Sequence, residues 1–83
     1  MRLDVLYFAW VRERIGVSRE SLETGAATVA DLVAELAARD DRYALAFADL
    51  NSLRVALDQE LGDFSAPLDG VRELAFFPPM TGG

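Results

Sequence analysis

The chain has 83 residues, eight arginines against fourteen acidic side chains, no lysine, histidine or cysteine, and a formal net charge of −6. That length suits one small domain, which buries only about 60% of the surface its unfolded chain exposes. The missing residue types exclude disulfides, thiolate metal sites, a cysteine nucleophile and the commonest general base, and argue against an independent enzyme. The acidic balance repels phosphate backbones, so nucleic acid is not expected as a partner and a protein with a basic groove is.

At the start, Leu3, Val5 and Tyr7 alternate with Arg2 and Asp4, and Leu6 and Phe8 then fill the other parity. This predicts a central strand that becomes buried on both faces. Asp4 interrupts any signal-peptide pattern and the apolar run from Val5 to Val11 is too short to span a bilayer, so the expected location is cytoplasmic, with no membrane partner. Val11 and Ile15 at i and i+4, followed by Gly16 as a left-handed cap, predict a short helix. The mostly polar stretch from Val17 to Thr24 predicts an edge strand with Leu22 as its core residue.

Thr28 is a helix N-cap with Asp31 three residues on, and Val29, Leu32, Val33 and Leu36 form one apolar stripe. A helix lying across a sheet is the consequence. Asp40 and Asp41 break that period, and residues 43–47 are apolar without one, which predicts a loop with a helical turn over one end of the core. Leu53, Val55 and Leu57 predict a half-buried strand. Gly62-Asp63 and Asp69-Gly70 supply turns, with Phe64 and Leu68 as plugs between them, before a last strand from Val71 to Phe77. The predicted class is α+β: a mixed sheet, its apolar first and last strands forming a central parallel pair, with one main helix packed across it.

The carboxylate pairs Asp40–Asp41, Glu60–Asp63 and Glu20–Glu23 fall in loops or polar edges and are expected to be solvated, with no metal bound. Neither glycine-rich phosphate motif occurs, so nucleotide chemistry must come from a partner. Arg12, Arg14 and Arg19 read as surface residues, with partner docking as a further role for Arg12.

The end of the chain reads differently. Pro78 and Pro79 cannot donate to a ladder, so they stop the strand after Phe77 and project the chain outward. The expected division is a domain over 1–77 and a flexible Gly-Gly tail over 78–83. Met80, Thr81, Gly82 and Gly83 extend up to roughly 13 Å, enough to enter another protein's cleft. Two glycines beside an α-carboxylate suit a group that threads a narrow channel and is activated as an acyl phosphate or adenylate before attack. An amine would then give a conjugated modifier, and a sulfur donor a C-terminal thiocarboxylate.

"YFAWVRERIG", "TVADLVAELAARD", "SLRVALDQEL" and above all "AFFPPMTGG" make the chain resemble the small subunits of molybdopterin synthase, which are ubiquitin-like β-grasp sulfur carriers. The likeness covers nearly the whole chain. It implies that Gly83 is the acyl and sulfur carrier and Gly82 its narrow approach. Thr81, Met80, Pro79, Pro78, Phe77 and Arg12 would bind partners. It further implies an E1-like adenylating enzyme using ATP and Mg²⁺, a sulfur donor protein, and a large subunit that completes a heterotetramer; this chain itself would bind no cofactor. The product would be the dithiolene formed from a cyclic pyranopterin precursor. Asp58, where the family's strand usually ends in asparagine, and a longer turn in "DGVRELAFF" depart from the pattern. Alternatives are a β-grasp carrier for thiazole, cysteine or tRNA thiolation, a covalent protein modifier, or a binding module whose tail is never activated.

Overall fold

The computed structural model describes residues 1–79. Strand β1 (Arg2–Tyr7) buries Leu3, Val5 and Tyr7 and is antiparallel to β2 (Arg19–Glu23), where Leu22 faces Leu3. Between them α1 (Ala9–Ile15) buries Val11 and Ile15 and ends on Gly16 at φ 97°, where its N–H reaches the Arg12 carbonyl at 2.8 Å. Only a residue without Cβ adopts that cap cheaply.

Helix α2 (Val29–Arg39) starts where predicted: the Thr28 hydroxyl accepts from the Asp31 N–H at 3.1 Å, and Val29, Leu32, Val33 and Leu36 are buried. The loop with a helical turn expected after it is a regular third helix, α3 (Asp41–Ala46). Asp40 ends one helix and caps the next, its carboxylate accepting from the Arg42 N–H at 2.8 Å. A 3-10 turn (Leu50–Ser52) leads into β3 (Arg54–Leu57), and β5 (Glu73–Phe77) is the last element among the described residues.

A fifth strand was not foreseen. Asp58 and Gln59, at φ 50° and φ 72°, form a two-residue hairpin turn, and β4 (Glu60–Gly62) returns against β3. Positive φ at both central residues matches the right-handed twist of a hairpin, and Asp accepts it better than most residues. The sheet order is β2-β1-β5-β3-β4, with β1 and β5 the parallel central pair that apolarity predicted.

Leu3, Val5, Tyr7, Leu22, Leu53, Val55, Leu74 and Phe76 face inward against the α2 stripe. Phe76 sits at the aromatic centre, 5.0 Å from Phe47 edge-on and 6.2 Å from Tyr7. Burial on both faces of β1 is not realised. Leu6 is only half-buried and Phe8 is 45% exposed, because every helix lies on the other face.

Candidate functional site: the tail exit and the open sheet face

Strand β5 stops at Phe77, as the two prolines require, and Pro78 and Pro79 are half-buried just beyond it. Met80, Thr81, Gly82 and Gly83 lie outside the described residues. The exit is held from two sides. Phe77 stands in register with Arg54 of β3, and the Phe8 N–H donates to the Phe76 carbonyl at 3.1 Å. The Arg54 guanidinium is itself tied down, donating to the carbonyls of Leu53 at 2.8 Å and Asn51 at 3.3 Å.

Phe77 is neither in a second core nor fully exposed. It is half-buried on the sheet face opposite the helices. Residues directly opposite in a ladder share a face, and the registers put Leu6, Ala75, Ala56 and Leu61 in one row across four strands. Phe8 and Phe77 continue that parity toward the exit. An apolar strip therefore runs from the prolines across the open face to Leu61, which is 72% exposed. Sequence reading missed Leu61 because β4 has only three residues, and it misplaced Leu6 and Phe8 by assigning both to the interior.

Helix α1 begins beside the exit, directly after Phe8, with Ala9 at φ 53°. Arg12 is exposed on α1, flanking the buried Val11 and Ile15. Arg14 lies over the Trp10 ring at 4.8 Å, and the two border a shallow groove of about 550 Å³ with Leu45, Asp49 and Ser52. Arg19 pairs loosely with Asp4 at 3.9 Å. The three arginines thus have separate surroundings and do not form one anion site.

Glu20 corrects the expectation of solvated carboxylates. It occupies the inward parity opposite Val5, half-buried, and its Oε2 accepts from the hydroxyls of Tyr7 at 2.8 Å and Tyr43 at 2.6 Å. Burial, followed by these bonds to Glu20, pushes the Tyr7 phenol far up and the Tyr43 phenol up to about 12. Its neighbour Glu23 is exposed and pairs with Arg2 at 3.5 Å. Asp40 and Asp63 are held below the usual carboxylate range, Asp40 chiefly by the Arg42 N–H and Asp63 chiefly by the Ser65 hydroxyl. Among the described residues no group of three or more acidic side chains is placed to hold a metal ion, and no helix is long and apolar enough to cross a membrane.

Asp58 also acquires a role. Its Oδ1 accepts from the N–H groups of Arg72 and Glu73, both at 3.0 Å, pinning the turn before β5 to the β3–β4 hairpin. The same atom type in an asparagine carbonyl makes both bonds, so the departure from asparagine leaves the hairpin geometry intact.

A five-stranded mixed sheet, crossed by one main helix on one face and ending in a central strand that delivers the C-terminal tail, defines a ubiquitin-like β-grasp domain. Residues 5–83 match the ThiS family, and the chain belongs to it. It is 43% identical to the molybdopterin synthase sulfur carrier subunit of Escherichia coli (strain K12), over 98% of this chain and 99% of that one. It is 42% identical, with the same coverage, to the subunit of that name from Haemophilus influenzae. Among solved structures it resembles SAMP1 from Haloferax volcanii, with a TM-score of 0.77 and 25% identity over the whole of both chains.

Proposed function

We propose that this chain is the sulfur carrier subunit of a molybdopterin synthase. The observation that carries the reading is the 42–43% identity, over nearly the full length, to two proteins of that name. The family match running through Gly83 supports it, as does a fold that ends its central strand at two prolines.

On this reading an E1-like enzyme uses ATP and Mg²⁺ to adenylate the Gly83 carboxylate, and a sulfur donor protein converts the acyl adenylate to a thiocarboxylate. The large subunit then receives the loaded tail, and sulfur passes to cyclic pyranopterin monophosphate to build the dithiolene. This chain's part is presentation. Phe77, Pro78 and Pro79 fix where the tail leaves, Met80 and Thr81 lead it into the partner's cleft, and Gly82 and Gly83 pass where a side chain would not. The strip from Phe8 and Phe77 to Leu61 supplies apolar area for docking, and Arg12 presents an exposed charge on α1.

Intact-mass spectrometry of the chain co-expressed with its activating enzyme should show one oxygen replaced by sulfur at Gly83. Reconstitution with the cognate large subunit should then yield molybdopterin. A thiocarboxylate that serves only thiazole, cysteine or tRNA thiolation would redirect the reading to another carrier. Isopeptide linkage of Gly83 to lysines of other proteins would make the chain a modifier.

A further inference from the structure

Strand β2 stands at one edge of the sheet and, among the described residues, pairs with β1 alone. The Tyr7 N–H donates to the Ser18 carbonyl and the Thr24 N–H to the Met1 carbonyl, both at 2.9 Å. Bonded pairs alternate along an antiparallel ladder, so Ser18, Glu20, Leu22 and Thr24 turn their main-chain groups toward β1. Arg19, Ser21 and Glu23 therefore turn theirs outward, as a free edge that accepts another strand.

We propose that this edge joins a second copy of the chain, β2 against β2, antiparallel about a twofold axis at Ser21. The charge pattern selects both the occupant and the register. With Ser21 facing Ser21 of the second copy, Arg19 faces Glu23 of the second copy, and the axis repeats that opposite-charge pair at the other end of the seam. All three positions carry their side chains on the open sheet face, and each facing pair exchanges both of its main-chain bonds. Other registers that keep the outward groups together lose the match. Centring on Glu20 sets the two Glu20 carboxylates against each other, and centring on Leu22 leaves Arg19 opposite Gly25. Slipping further sets Arg19 against Arg19 or Glu23 against Glu23, which like charge disfavours.

Both charged side chains are free to change partners. The Arg19 side chain is 65% exposed and lies 3.9 Å from Asp4, while that of Glu23 is 64% exposed and lies 3.5 Å from Arg2. Exposed pairs of this kind are held weakly. The Ser21 hydroxyl donates to Asp4 at 2.6 Å, within its own sheet, and leaves the axis to main-chain contact. The opposite edge of the sheet offers no such match. Leu57 and Glu60 close the two-residue β3–β4 turn as a bonded pair, so in β4 only Leu61 points its main-chain groups outward.

The joined sheet keeps both exits clear. Strand β2 runs opposite to β1 and β5, so the twofold sends β5 of the two copies toward opposite ends, and β1 separates the seam from β5 in each.

Sedimentation velocity of the full chain from micromolar to millimolar concentration reads the association, in moderate salt that screens the repulsion between two chains of net charge −6. Wild type should form a dimer whose population rises with concentration. Amide exchange followed by NMR over the same range should slow at Arg19, Ser21 and Glu23, while Glu20 and Leu22, already bonded within the sheet, change little. Arg19→Glu should weaken the dimer at least about tenfold, because it sets like charges opposite at both ends of the seam, and Glu23→Arg should do the same. Combining the two substitutions restores opposite signs and should bring the dissociation constant back within about threefold of wild type. A purely structural effect predicts the reverse, since each substitution also removes a pairing within the chain, to Asp4 or to Arg2. Where a charge variant fails to fold, judged by circular dichroism, the wild-type exchange pattern decides.

A chain that stays monomeric to millimolar concentration overturns the proposal. So does a dimer whose concentration-dependent NMR shifts fall at Phe8, Phe77 and Leu61 instead of on β2, which would assign the contact to the apolar strip. A folded double variant that stays as weak as the single ones overturns it as well.

Discussion

Asp58 shows how much one side chain can hold at the edge of a small sheet. Its carboxylate accepts two backbone N–H groups from the segment before β5, while its own backbone occupies the left-handed region that begins the β3–β4 turn. Asp58→Ala should cost about 1–3 kcal/mol, because it leaves two donors without their acceptor and puts alanine at positive φ. Asp58→Asn should stay within about 0.5 kcal/mol of wild type, since its carbonyl oxygen replaces Oδ1. Urea unfolding of the pair separates acceptor loss from charge loss. Glu20 makes a related point about legibility. A polar residue on the inward parity of an edge strand reads as solvated, and only the fold reveals that two tyrosines from β1 and α3 meet it.

Those phenols make stability sensitive to alkali. Tyr43 keeps its proton to about 12 in the fold against an ordinary value of 10.0. Its contribution is therefore complete below pH 10.0 and is lost as pH rises through about 12, where the unfolded chain has already released the proton. Tyr7 is shifted in the same direction and extends the loss further. Urea midpoints should fall across that window, and Tyr43→Phe should make the fall shallower while leaving Tyr7's share.

At the scale of elements, legibility followed length and period. Helix α2 was readable because four apolar residues recur on one face behind a capping threonine. Thr28→Ala should cost about 1 kcal/mol by removing the acceptor for the Asp31 N–H, read as a lower urea midpoint with unchanged slope. Helix α3 was readable only as a helical turn, because six residues give too little period and Asp40, which caps it, looks like a simple break. Strand β4 was hidden for a different reason. Its three residues are all exposed, so no burial pattern marks them, and only pairing to β3 makes them a strand. The central pair was visible from its apolarity, although the open face behind it was not, since half-buried Leu6 reads like a core residue.

For the molecule as a whole, that open face is where sequence reading and structure part most usefully. The tail was singled out from its final residues, but the surface beside its exit depends on strand registers that no local pattern encodes. Leu61→Asp alters a side chain that is 72% exposed, so stability should change by no more than about 0.5 kcal/mol. Affinity for the large subunit should drop about tenfold or more if the strip docks there, measured by titration calorimetry with the unmodified tail. Unchanged affinity would confine docking to the tail and the exit.

The position of β5 has a consequence for the order in which the molecule is made. It is the last strand among the described residues yet lies between β1 and β3, so both halves of the sheet wait for it. During synthesis a chain that stops short of Phe77 has no central strand and leaves the inner faces of β1 and β3 unjoined. Such pairings across the sequence form late and only cooperatively. A nascent chain therefore completes its fold only after β5 has emerged. Chains truncated before β5 lack the strand that joins β1 to β3 and should stay unfolded and open to proteolysis.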